Sequence, residues 1–251
     1  MTFPSSAPSV ASPIQNSSNL TPVYDLPSVA FFGRSLAEYC EFFDLEPSTL
    51  SHTAVLDVAA GPSSFVAEAC RSGVDAVALD PLYGNRPETL RAHVELDYAH
   101  MFKRMRKRGQ RTRFVFKSFR SIAHAERDRR AAAARFLTDY QAHFAHGRYF
   151  GAALPKLPFL DASFDLVLCA HLLFIYPAQF DFEFHVAACR ELMRVARTEV
   201  RIHPVCGPDG QPYPQLPALL AALQGCGIAA AVRAVDYEFF AGANSMLVLR
   251  R

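Results

Sequence analysis

Thr53-Ala-Val-Leu-Asp-Val58-Ala-Ala-Gly-Pro-Ser-Ser64, followed by Asp75-Ala-Val-Ala-Leu79-Asp80, decides the fold. Residues 53–58 are a short β-rich run that stops at a Gly-Pro turn. A helical pattern then continues through Cys70 and closes near Gly73, and residues 75–79 form a second run of buried-strand type. Strand, tight turn, helix and strand within thirty residues make a βαβ unit and hence a parallel sheet. In such sheets ligands bind beyond the carboxyl ends of the strands, near the switch in strand order. Gly61 lets the backbone pass close to a ligand or take a positive φ. Asp80 follows Gly61 by nineteen residues, near the ~20 expected of an acid that accepts ribose hydroxyls.

Upstream, Ser35-Leu-Ala-Glu38 reads as a capping box. Leu36, Tyr39, Cys40 and Phe43 follow it on one helical face. Order is expected from about Tyr24. Residues 1–23 read as a flexible tail rich in Ser, Pro, Thr and Asn, without the charge and apolar run of a secretory signal. Downstream, Pro87 opens a helix with Leu90, Val94, Tyr98, Met101 and Met105 on one face, stopped by Gly109. A second helix is expected from about Ser121 to His143, with Ala133, Phe136, Leu137, Tyr140 and Phe144 inward. Strands are expected at 149–153, 157–161, 164–169 and 199–203, and helices at 182–196 and around Leu216–Leu223. The strands 229–239 and 246–250 form a closing antiparallel hairpin. The fold class is thus α/β: a Rossmann-like three-layer sandwich with a seven-stranded, mostly parallel sheet, an antiparallel last strand and a helical insertion at about 84–148 within a domain of residues 24–251.

The 251 residues are 51% hydrophobic and 20% charged, which excludes a disordered chain and supports a large core. No stretch approaches the ~18 apolar residues of a membrane span. The six cysteines are widely spaced with no Cys-x-x-Cys pair, so they read as free thiols of a reducing cytoplasm and no metal site is expected. The net charge of +2 names no partner. Its distribution is uneven, because residues 84–148 hold 16 Lys+Arg against 6 Asp+Glu and the remainder is acidic. A basic segment suits an anionic substrate or RNA. Cations at the end of a helix, as in Lys103-Arg-Met-Arg-Lys-Arg108, also complement its dipole and stay solvated. No recognised RNA-binding module accompanies the charge, which argues against a nucleic-acid partner.

Val55-Leu-Asp-Val-Ala-Ala-Gly-Pro-Ser-Ser-Phe65 resembles motif I of the class I S-adenosylmethionine methyltransferases. Asp80 is similar to their ribose-binding acid. Residues 157–173 resemble the stretch leading into and past their fourth strand, and Arg190-Glu-Leu-Met-Arg-Val195 the helix before their fifth. The resemblance covers roughly residues 32–82 and 148–251 and rests on the ordered set. It implies a cytoplasmic enzyme that transfers a methyl group from S-adenosylmethionine to a small-molecule acceptor. It implies a cofactor held by Asp57, Ala59, Gly61, Ser63, Asp80, Pro81, Leu154, Cys169 and Arg34, with Asp57 bonding backbone amides of the turn and Arg34 meeting the methionine carboxylate; the alternative for Arg34 is a solvated surface arginine. His171, after the fourth strand, is the candidate catalytic base. Its alternative is a structural histidine bonded to nearby backbone.

Three features depart from the family pattern. Its Gly-x-Gly-x-Gly reads Ala59-Ala-Gly61-Pro-Ser63, which a turn accommodates while φ at the alanine stays negative. No acid follows the third strand at 152–155, so adenine is expected to meet backbone groups or another side chain. No Asn/Asp-Pro-Pro-aromatic turn or Pro-Cys pair of base methylation stands near Cys169-Ala-His171. A nicotinamide enzyme needs Gly-x-Gly-x-x-Gly, and this turn has one Gly followed by Pro62. Two alternatives stay open: a SAM-fold binding protein without catalysis, and an RNA methyltransferase using the basic insertion.

Overall fold

A computed structural model describes residues 29–108, 114–115 and 117–251. The 1–23 tail, the start near Tyr24 and the helix stop at Gly109 lie outside these residues. Strand β1 (Ala54–Val58) lies inside the sheet, next to its central strand. It pairs in parallel with β2 (Asp75–Leu79) and β4 (Phe164–Ala170), with Leu56 level with Val77 and Val167. Val55, Leu56 and Val58 are buried, as in a strand covered on both faces. Each such side chain contributes roughly 1.5–3 kcal/mol by leaving water. β3 (Tyr149–Phe150) lies outside β2, and β5 (Ala196–His203) outside β4. β7 (Ser245–Arg250) runs antiparallel between β5 and β6 (Ala229–Ala234). The order 3-2-1-4-5-7-6 with antiparallel β7 is the Rossmann-like, mostly parallel seven-stranded sheet with an antiparallel strand near its end that the sequence led us to expect.

The crossover β1–α2–β2 (α2, Phe65–Arg71) runs one way along the sheet, and β4–α5–β5 (α5, Phe182–Val195) the other. Right-handed connections therefore place α2 and α5 on opposite faces. Helix α1 (Leu36–Phe43) packs with α2, and α6 (Leu216–Gly225) with α5, which completes three layers.

Some elements differ from expectation. Residues 157–161 form a loop and β3 stops at Phe150; Pro155 and Pro158 remove ladder donors there. β6 stops at Ala234 because Tyr237 and Phe239 turn into the core. Ser35 does cap α1, its Oγ accepting the Glu38 N–H. The Glu38 carboxylate does not return to complete the box. It is drawn instead to Arg129 Nη2 at 2.7 Å. The buried face of α1 is Glu38, Tyr39, Phe42 and Phe43, while Leu36 and Cys40 are half-buried.

The insertion forms two packed helices, α3 (Pro87–Arg108) and α4 (Ile122–His143). Ser121 caps α4 by accepting the His124 N–H. The expected apolar faces are buried from Leu90 to Met105 on α3 and from Ala133 to Tyr140 on α4, but Phe144, expected inward, is exposed just past the end of α4. Arg129 is the exception to the expectation that the basic residues face water. It is fully buried and paired with Glu38. Its Nη2 also donates to the Tyr237 hydroxyl at 3.0 Å, which itself donates to Glu38 Oε1 at 2.7 Å. The guanidinium lies 4.3 Å from the Phe239 ring centre and 5.3 Å from that of Phe119. Burial alone would raise the Glu38 pKa, but Arg129 outweighs it and holds the carboxylate below its usual range.

Candidate active site

A cavity of about 620 Å³ opens at the carboxyl ends of the parallel strands. It lies between β1 and β4, where the strand order reverses, the place where open α/β sheets bind ligands. Its floor is the 58–61 turn after β1, Asp80 after β2, Ala152–Leu154 after β3 and His171 after β4.

The turn is tighter than the sequence suggested. Ala59 takes φ +58° and Gly61 φ +55°. The expectation of a negative φ at the alanine is thus corrected. Ala59 sits in the left-handed region that the family gives to glycine, which costs roughly 1–2 kcal/mol. The chain must reverse there to send residue 61 beneath Asp80. Asp80 Oδ2 accepts the Gly61 N–H at 3.1 Å and Oδ1 the Leu82 N–H at 2.9 Å. Burial pushes this carboxyl up to about 6, against the pull of the two amides. Tyr83 donates its hydroxyl to the Gly61 carbonyl and closes the turn from behind.

The irregular segment preceding α1 forms the opposite wall. A Cβ on Gly33 would fall 2.1 Å from the Pro62 carbonyl carbon and 2.3 Å from the Ser63 nitrogen. Here the backbones touch, and only glycine fits. The Arg34 carbonyl accepts from Ser63 Oγ at 2.9 Å and from the Ser64 N–H at 3.0 Å. Its side chain lines the cavity, and the buried Nε has no hydrogen-bond partner among the described residues. The His171 Nδ1 is likewise buried and unpartnered among them. Burial, then the charge of Arg34, holds the imidazole well below its usual 6.5. His171 is therefore neutral at pH 7.

Of the residues singled out in the sequence, the structure brings Arg34, Ala59, Gly61, Asp80, Pro81, Leu154 and His171 to the cavity wall. Asp57, Ser63 and Cys169 are buried behind it. Asp57 does not bond the turn amides. Both its oxygens accept from the Tyr39 hydroxyl, at 3.1 and 2.9 Å, because α1 covers that end of β1. Burial pushes the Asp57 carboxyl and the Cys169 thiol well up. Ser63 Oγ spends its bonds on Arg34 O and the Phe65 N–H.

Sequence reasoning missed Gly33, Asp97 and Tyr176. Asp97 had a readable signal, since it falls on the same helical face as Leu90, Val94 and Met101. A carboxylate in such a stripe needs a reason. Asp97 Oδ2 accepts the Phe31 N–H at 2.7 Å, and the Tyr176 hydroxyl accepts the Ala30 N–H at 3.1 Å. Together they fix residues 30–31 across the cavity mouth. Gly33 and Tyr176 carry no local signal, because their roles depend on contacts with distant chain.

No protein-family model matches the chain. It is 30% identical over 228 residues to the uncharacterized protein MJ0045 of Methanocaldococcus jannaschii, covering 90% of this chain and 98% of that one. Among solved structures it is similar to magnesium protoporphyrin IX methyltransferase from Synechocystis PCC 6803 with bound SAM, at 13% identity and a TM-score of 0.45, over 81% of this chain and 72% of that one. It is similar also to a SAM-dependent methyltransferase from Aquifex aeolicus, at 13% identity and a TM-score of 0.41, over 85% and 92% of the two chains. Among the described residues no helix is long and apolar enough to cross a membrane.

Proposed function

The chain belongs to the same family as the uncharacterized protein MJ0045 of Methanocaldococcus jannaschii, and from the site built on its class I methyltransferase fold we propose that it transfers a methyl group from S-adenosylmethionine to a small-molecule acceptor. The observation that carries this reading is the joining of the Gly61 turn and Asp80 in one wall of the cavity, linked by the 3.1 Å hydrogen bond.

The residues present suit the cofactor. Asp80 keeps free lone pairs toward the cavity for the ribose hydroxyls. The unpartnered Arg34 Nε suits the methionine carboxylate as a charge-assisted donor. Backbone groups around Ala153 and Leu154 border the remaining floor and stand where adenine would lie. Pro81 and Ala59 contribute shape rather than bonds. When bound, S-adenosylmethionine supplies an electrophilic sulfonium methyl group.

The chain's own part is mainly to hold the acceptor atom in line and exclude water, which can supply ~7–11 kcal/mol of the barrier. Helix α3 and residues 29–32 roof the cavity, so the segment at 84–148 acts as a lid as well as a structural layer. His171 borders the acceptor as a neutral hydrogen-bonding group. With its pKa depressed it is a weak base, which suits an acceptor that needs little help in losing a proton. Among the described residues the cavity wall carries one Arg and no Lys, which favours a small apolar acceptor over RNA.

Isothermal titration with S-adenosylmethionine and S-adenosylhomocysteine tests the reading. Saturable one-to-one binding of both is expected. Absence of binding by a folded sample would overturn it.

A further inference from the structure

Given that the cofactor takes the Gly61–Asp80 half of the cavity, as proposed above, the other half has a distinct chemistry. Its wall is apolar and aromatic, formed by Phe31, Met101, Ile175, Tyr176 and Phe180. Asp97 stands in this wall, half-buried. One of its oxygens accepts the Phe31 N–H at 2.7 Å. The other has no hydrogen-bond partner, and Asp97 has no ion-pair partner, among the described residues. Burial raises the Tyr176 phenol pKa, and the charges of Arg34 and, more weakly, Asp97 act on it in opposite senses. Arg34 is the cation among the described wall residues, and its backbone is pinned to the turn at Ser63 and Ser64 on the cofactor side.

We propose that the acceptor is an apolar molecule bearing one protonated amine, with the ammonium seated on Asp97 beside the Phe31 and Tyr176 rings. A carboxylate in an apolar wall is costly unless paired. A neutral acceptor would strip its water and return at most an uncharged hydrogen bond, weaker than a charge-assisted one. An anionic acceptor would be repelled by it. An ammonium ion answers Asp97 directly and is attracted to the aromatic faces around it. The remaining wall then covers the ligand's apolar body. The basic surplus of the insertion does not oppose this, because Lys103 and Arg104 on α3 are exposed rather than part of the wall.

The test is calorimetric titration of the whole protein, with S-adenosylhomocysteine present, using 2-phenylethylamine, neutral 2-phenylethanol and anionic 3-phenylpropanoate. The amine is expected to bind about tenfold or more tightly than the alcohol, and the carboxylate more weakly than either. Asp97→Asn keeps an oxygen for the Phe31 N–H and removes the charge, so the amine preference should collapse in that variant. An amine that binds no better than the alcohol, failure to bind included, overturns the proposal; so does a preference that survives Asp97→Asn. The wild-type titration with S-adenosylhomocysteine alone reads the cofactor half separately. Its failure counts against the cofactor reading, whereas equal binding of amine and alcohol counts against the acceptor class.

Discussion

Glu38 and Tyr39 are neighbours on α1 and bury polar groups in opposite directions. Tyr39 reaches toward the sheet and bonds Asp57, whose carboxyl pKa burial pushes well up. Glu38 reaches toward the insertion and bonds Arg129, whose charge holds the Glu38 carboxyl below its usual range. On the sheet side, apolar strands enclose a hydrogen-bonded pair with no counter-ion among the described residues. On the insertion side, two ions are held in a dry aromatic box, and each exists because the other is there. A buried pair of that kind adds little net stability but makes the loss of either member severe. It also joins three distant parts of the chain, α1, α4 and Tyr237. The insertion is therefore part of the core and not a detachable lid.

The largest effect should come from breaking the charged side of this comparison. Arg129→Met is expected to cost ~3–5 kcal/mol in chemical denaturation, because it strands the Glu38 carboxylate. Adding Glu38→Leu should recover most of that loss. Tyr39→Phe, on the sheet side, should cost less, about 1–3 kcal/mol, the penalty of an unmet buried partner. Equal losses in the two single variants would dissolve the contrast.

A middle-sized effect is expected at Asp80, which belongs to the sheet side but faces the cavity. Asp80→Ala should weaken S-adenosylmethionine binding by ~1.5–3 kcal/mol in titration calorimetry. The wild-type carboxyl holds its proton up to about pH 6. The ribose hydroxyls need an ionised acceptor, so wild-type affinity should rise between pH 5 and 7 and that of the variant stay flat. The sign for folding is opposite. The folded pKa is raised above the unfolded 3.8 to about 6, so the folded state keeps the proton longer. Asp80's contribution to stability therefore falls as pH rises through that window.

The smallest effect sharpens the reading of the turn. Ala59→Gly should raise stability by about 0.5–1 kcal/mol, the relief of a left-handed alanine less the entropy that glycine adds to the unfolded chain. Thermal denaturation measures it. A lower melting temperature would show that the Ala59 methyl packs usefully against the cavity wall.

By itself the sequence determined the elements whose signal is local. Alternating strand and helix runs, the Gly61 turn, the spacing to Asp80 and the closing hairpin were all legible in residues 53–82 and 148–251. Periodicity and turn chemistry act over a few neighbours, so no knowledge of the rest of the chain was needed. Tertiary structure alone decided that Gly33 must lack a side chain, because its neighbour is Pro62, 29 residues away. It decided that Glu38 serves Arg129, 91 residues away, rather than its own helix cap. It decided also that Asp57, Ser63 and Cys169 lie behind the cavity wall while Asp97 and Tyr176 stand in it. The physical reason is common to all three: a polar or small residue takes its role from the partner that replaces its water. That partner is chosen only when distant segments close around the same space.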